Sequence, residues 1–147
     1  MTIINEVKRI VEKVMEQPFI YATEYNINEK ILQISDQLPC VAMARQNNGT
    51  FEHLNGMKDS VSCLFFFIGL STKGATDLEI AEETSVQKQY AKAFLKEVEK
   101  SSVIFVSGAS PYQDFYDEKF DLFTTGVYLS LDLKELAGDV VCDETPE

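Results

Sequence analysis

Few side chains of this 147-residue chain have types and spacings suited to chemistry. His53 is the only histidine, and it stands beside Glu52, a pair that would suit a general base or a metal site. Adjacent residues on an extended segment point in opposite directions, and a histidine metal site needs further ligands. We therefore interpret His53 as a surface residue.

The three cysteines, Cys40, Cys63 and Cys142, are odd in number and form no C-x-x-C pair. This spacing argues against a disulfide framework and against a structural zinc site. Cys40 and Cys63 lie in apolar runs, where forming a thiolate would be costly. Both are therefore predicted to be buried, inert thiols.

Four acids, Asp114, Asp117, Glu118 and Asp121, suggest an oxygen-rich cation site at first sight. They lack the glycine and the terminal glutamate of a calcium loop, and aromatic residues stand between them. No G-x-S-x-G motif is present, and no spacing favours a pair of catalytic carboxylates, although acids distant in sequence can meet in a fold. The sequence thus predicts no catalytic residue, no metal and no cofactor, and the chain is not expected to be an enzyme.

The net charge of −11 is concentrated towards the end of the chain. Ten acids and two lysines follow Tyr112, which places −8 of the −11 in the last quarter. So acidic a surface repels phosphates, and specific nucleic-acid binding is not expected. The first residues mix charges with apolar residues at helical spacing, so no signal peptide is expected, and the longest apolar run, Cys63 to Leu70, is too short for a membrane span.

Two helices are predicted from apolar spacing and from their end signals. The first runs from about Thr2 to Gln17, where Pro18 ends the pattern. The second is capped by Thr76 or Asp77 and continues to about Lys100. Its apolar arc comprises Val86, Tyr90, Ala91, Ala93, Phe94, Leu95 and Val98.

Strands are predicted where β-branched and aromatic residues cluster. The predicted strands are Phe19 to Tyr25, Leu38 to Arg45, Val61 to Leu70 and Asp121 to Leu133. Asn48-Gly49 is a hairpin signal in the turn-rich connection after the second of them.

The segments between these elements are less regular. Asn26 to Gln37 is ambiguous, and we interpret it as loop with a short strand at Ile31 to Ile34. We interpret Ser101 to Asp121 as a long irregular loop that contains a short strand at Val103 to Val106. The acidic residues 137–147 are predicted to be a flexible tail. The expected fold is a single α+β domain over residues 1–136, with a mixed or mainly antiparallel sheet flanked by two main helices.

Val61 to Leu70 is apolar on both faces, which is unusual for an antiparallel strand. Val61, Cys63, Phe65 and Phe67 share what we call the first face, and Leu64, Phe66, Ile68 and Leu70 share the second face. The second face requires cover, either by the chain's own helices or by a neighbouring subunit.

Four lysines recur every fourth residue along the second helix. We call them the lysine row, and they are Lys88, Lys92, Lys96 and Lys100. Like charges at this spacing repel, so the row either faces solvent or meets a partner's acidic segment, such as Tyr112 to Asp121 of an identical chain. The candidate interface residues are Phe66, Ile68, Lys88, Lys92, Lys96, Lys100, Tyr112, Phe115 and Tyr116.

In its order of elements the chain resembles the tail-terminator family of long-tailed bacteriophages. The resemblance covers Ile3 to Leu136, and it rests on Leu38-Pro39-Cys40-Val41-Ala42, on the strand Ser62 to Leu70, on the helix Glu79 to Lys100 and on the strand Thr124 to Leu133. It implies an α+β protein that forms a ring, commonly hexameric, and contacts the tail tube or head connector. It transfers no specific functional residue to this chain.

The expected function is therefore that of a non-enzymatic structural protein of a phage or prophage tail, acting as a homo-oligomer. The resemblance places such a protein in the bacterial cytoplasm during assembly and in the virion tail afterwards. The alternative is an acidic cytosolic binding module, such as an immunity-type inhibitor that masks a basic partner. A small enzyme that uses paired carboxylates is the third hypothesis.

Overall fold

The computed structural model describes residues 2–45, 48–53, 56–106, 108–119 and 122–136, and only the backbone of residues 118–119. The helices are α1 (Thr2–Arg9), continued by a π-helical turn (Ile10–Val14), α2 (Glu24–Gln33) and α3 (Asp77–Lys100), with a 3-10 turn at Ser35–Gln37. The strands are β1 (Phe19–Ala22), β2 (Cys40–Ala44), β3 (Gly49–Glu52), β4 (Lys58–Leu70), β5 (Ile104–Val106), β6 (Tyr112–Lys119) and β7 (Leu122–Glu135). The predicted flexible tail lies outside the described residues.

These strands form one mixed sheet of seven strands, so the α+β prediction is confirmed. The central path is β1-β2-β4-β7-β5, in which only β1 and β2 are parallel. The long strands β4 and β7 pair antiparallel from Ser60↔Lys134 to Leu70↔Thr124. β3 continues the edge of β4 beyond β2, and β6 continues the edge of β7 beyond β5.

The first face of the sheet is covered by α1 and α3, as two amphipathic helices require. Phe65 and Phe67 are completely buried there, and their ring centroids lie 4.9 and 5.9 Å from that of Phe94 on α3. Helix α1 adds Ile3 and Val7 to the same core. Burying large apolar side chains contributes about 1.5–3 kcal/mol each, so this layer is the main source of stability.

Helix α3 begins with a capping box, as its sequence predicts. The Thr76 hydroxyl accepts a hydrogen bond from the Glu79 backbone N–H, and the Glu79 carboxylate accepts one from the Thr76 backbone N–H. The predicted apolar arc is partly wrong, because Val86 and Ala93 are exposed. The buried stripe contains polar side chains instead, and it consists of Thr84, Gln87, Ala91, Phe94 and Val98.

Helix α2 covers part of the second face, and the sequence interpretation missed it. Asn26 to Gln37, interpreted as loop with a short strand, belongs mostly to this helix and to the 3-10 turn that follows. The helix is capped by Thr23, whose hydroxyl accepts from the Asn26 N–H at 3.3 Å. Ile27 and Ile31, one turn apart, pack on the second-face residue Ile68. The strand predicted to reach Tyr25 therefore ends at Ala22.

Two further expectations are wrong in this part of the fold. Asn48-Gly49 does not join β2 to a hairpin partner, because both β2 and β3 pair with β4 and the hairpin is formed by β3 and β4. The irregular loop predicted from Ser101 to Asp121 contains the eight-residue strand β6. The short strand expected at Val103 to Val106 is present as β5.

Candidate functional site

The part of the second face that α2 leaves uncovered forms an elongated depression, which we call the aromatic trough. Its walls are Leu64 and Phe66 of β4, Tyr128 of β7, Phe115 of β6 and Tyr25 of α2. Two adjoining cavities of about 220 and 410 Å³ lie along it and share Phe66 and Tyr128. Leu64 and Phe66 are only half-buried, so the trough presents apolar surface to solvent.

Cross-strand pairing determines the arrangement of its rings. Phe66 lies opposite Tyr128, and their rings meet edge to face with centroids 5.0 Å apart. Phe115 stacks on the other side of Tyr128 at 4.9 Å. Contacts of this kind contribute about 0.5–1.5 kcal/mol beyond area burial, so the rings hold one another in place.

Gly126 makes room for the Phe115 ring. It faces Phe115 across the β6–β7 pair, and a Cβ at this position would lie 2.9 Å from Phe115 Cζ. The same Cβ would also collide with the backbone oxygen of Phe67. A glycine is therefore required here because of close approach.

The charged side chains that line the trough are acidic. Glu24 lines both cavities, and Asp117 lines the smaller one beside Tyr128. Burial raises the pKa of the Tyr128 hydroxyl, and the negative charges of Asp117 and Glu24 raise it further. Among the described side chains no lysine, arginine or histidine lines either cavity. The trough therefore favours a cation over an anion.

The lysine row lies on α3, on the opposite side of the sheet. Its first member, Lys88, contacts Asp114 Oδ2 at 3.5 Å and lies 5.0 Å from the centroid of the Tyr112 ring. The last, Lys100, pairs with Glu97 Oε2 at 3.1 Å. Lys92 and Lys96 are exposed and have no ion pair with any described residue.

The other candidate interface residues are distributed over different parts of the fold. Ile68 is 2% exposed beneath α2, whereas Tyr112 is 58% exposed at the start of β6. Tyr116 lies near α3, where its hydroxyl donates to the Thr72 carbonyl at 2.9 Å. Among these aromatic candidates the structure brings together Phe66 and Phe115, both in contact with Tyr128.

The residues whose types suggested chemistry lie apart in the fold. His53 is exposed just beyond the end of β3. Cys40 and Cys63 are buried as predicted, and burial raises the pKa of each thiol to about 12. Asp114 and Asp117 are three residues apart on β6, so they face opposite sides of the sheet. Within the described residues, no cluster of three or more histidine, cysteine, aspartate or glutamate side chains could hold a metal ion.

Two partly buried carboxylate networks were not predicted. Glu6 accepts a bidentate pair of hydrogen bonds from Arg9 at 2.8 and 3.0 Å and another from Ser101 at 2.5 Å, which ties α1 to the end of α3. Glu83 accepts from Ser71 at 2.6 Å and from Thr125 at 3.3 Å. The serine and threonine partners in these contacts are distant in sequence, so no sequence pattern predicted them. The contacts join elements of the fold, and neither Glu6 nor Glu83 lines the cavities of the aromatic trough.

Comparison with models of known protein families and with curated proteins finds no match for this chain. None of the helices in the described part of the chain combines the length and apolar character needed to span a membrane.

Proposed function

We propose that this protein is a non-enzymatic structural component of a phage or prophage tail, similar to the tail terminators, that acts by self-association. In this role it assembles in the bacterial cytoplasm, contacts the tail tube or head connector and ends in the virion tail. The aromatic trough is the observation that carries the proposal. It exposes part of an apolar sheet face that a single chain leaves open, as a subunit interface requires.

The distribution of charge supports the same role. A tail component must let DNA pass without binding it tightly. A net charge of −11 agrees with this requirement, because it disfavours binding of phosphates. Association through apolar and aromatic contacts requires no catalytic group. The buried thiols and the isolated, exposed His53 agree with such a function.

The third hypothesis, a small enzyme that uses paired carboxylates, would use Glu24 and Asp117, which line one cavity. Two-carboxylate chemistry needs one acid to stay protonated near neutral pH, which burial in an apolar pocket provides. Glu24 is exposed in the first turn of α2, so it does not lie in such an apolar pocket. This environment favours a binding role for the pair.

The proposal predicts that a tail-tube gene adjoins this one, and it is tested by assembling that tube protein with and without the purified chain. Electron microscopy should show rings of this protein alone, and tubes of limited length capped at one end when it is added. Tubes that grow unchanged and carry no cap would contradict the proposal. A monomer that instead binds a neighbouring basic toxin, with an affinity that falls with salt, would favour the inhibitor.

A further inference from the structure

The trough combines the two features that recognise an organic cation. Ring faces attract a cation by their quadrupole, and nearby carboxylates add Coulombic attraction. Phe66, Phe115 and Tyr128 supply the rings, and Glu24 and Asp117 supply the negative charge. The smaller cavity, about 220 Å³, exceeds several-fold the roughly 30 Å³ that a water molecule occupies, so it has room for part of a side chain.

The same chain carries a cation of the required kind on its opposite side. Lys92 has Lys88 and Lys96 one turn away on either side, so its like-charged neighbours raise its energy in the single chain. Lys92 and Lys96 are exposed on α3, which packs on the first face through Phe94. They therefore point away from the trough of their own molecule, which opens on the second face.

Lys88 is an example within this chain of a lysine held by an aromatic ring together with a carboxylate. Its ammonium group lies over the Tyr112 ring at 5.0 Å and contacts the Asp114 carboxylate at 3.5 Å. One member of the lysine row is thus satisfied by an aromatic ring and an acid of β6 within the chain. Phe115 and Asp117, on the other side of the same strand, offer a matching pair to a lysine from outside.

We propose that the aromatic trough of one copy binds the Lys92–Lys96 segment of α3 from a second copy. This inference rests on the proposed self-association and names its contact surfaces. Because the two surfaces are different and lie on opposite faces of the sheet, the contact is heterologous and leaves one trough and one lysine segment open at the ends of each dimer. Such a contact adds further copies head to tail and gives a ring when the rotation closes.

Charge reversal tests the proposal by sedimentation velocity on the full chain. The variant K92E/K96E and the trough variant E24K/D117K should each weaken self-association by about tenfold or more, since each sets like charges against each other. Combining all four substitutions should restore association, because the charges are then exchanged between the two surfaces. The matched control is K8E/K13E, which makes the same charge change at exposed lysines of the first helical segment and should retain wild-type association.

Circular dichroism and thermal midpoints establish that each variant is folded. If E24K/D117K does not fold, E24Q/D117N replaces it in the single-surface comparison, and K92E/K96E remains a test by itself. Association that is equal in the wild type, K92E/K96E and the trough variant would overturn this inference and leave the proposed function standing. A wild-type chain that stays monomeric would overturn both.

Discussion

The neighbouring residues Phe65 and Phe66 offer a direct comparison of the two faces of the sheet. Phe65 is completely buried against Phe94 at 4.9 Å, so Phe65→Ala should lower the free energy of unfolding by about 3–5 kcal/mol. Phe66 is partly exposed beside Tyr128, so Phe66→Ala should cost the isolated chain less, roughly 2 kcal/mol.

The assay is urea unfolding of both variants and the wild type at low and at high protein concentration. Association stabilises the folded form by mass action, so the wild type and Phe65→Ala should gain stability as concentration rises. Phe66→Ala should gain less, because its trough is damaged, and the difference between Phe66→Ala and the wild type should widen. Equal losses for the two variants at low concentration, or a difference between Phe66→Ala and the wild type that stays constant at all concentrations, would refute this account of the faces.

Three further predictions concern single sites. Gly126→Ala should lower the free energy of unfolding by about 1–3 kcal/mol in urea titrations, because the added methyl group meets Phe115 and the Phe67 carbonyl; an unchanged midpoint would contradict the close approach. Hydrogen bonds from Arg9 and Ser101 hold the pKa of Glu6 below its ordinary value of 4.5, so the ionised form stabilises the fold above that pH and the contribution is lost as pH falls through the lowered pKa. Stability measured from neutral to acidic pH should therefore fall less steeply for Glu6→Gln than for the wild type, and parallel curves would argue against this role. In a Cys142→Ser background, Cys40 and Cys63 should resist a thiol reagent at mildly alkaline pH until urea unfolds the chain, whereas rapid labelling of the folded protein would contradict their burial.

The elements predicted correctly are those with strong local periodicity. Helix α3 has an apolar stripe, acids in its first turn and a Thr76 cap, and strands β4 and β7 are long apolar or alternating runs. Each signal is confined to one segment of sequence. These elements build the first face and its core, so the α+β class followed from them.

Helix α2 and strand β6 were missed for different physical reasons. Ile27 and Ile31 are the only buried residues of α2, so its apolar pattern is short, although the Thr23 cap followed by Glu24 was a usable signal. In β6 the aromatic residues Tyr112, Phe115 and Tyr116 fall on both faces, so no alternation marks it as a strand. Its pairing with β7 overrides this weak local preference.

The candidate site was predicted in part. Phe66 was a candidate because its strand is apolar on both faces, and Phe115 because it belongs to the aromatic and acidic segment Tyr112 to Asp121; both line the trough. Tyr128, Glu24 and Asp117 were not linked to them, because their proximity depends on the β4–β7–β6 register and on the unpredicted α2. Ile68 was assigned to the interface because the sequence showed an apolar second face without the helix that covers it.

The central claim, that the open part of the second face makes this chain a self-associating structural protein, is tested most directly by its molar mass in solution. Light scattering coupled to size exclusion, repeated over rising protein concentration, should show assemblies of several subunits that converge on one closed size. A single species of monomer mass at every concentration would contradict the claim.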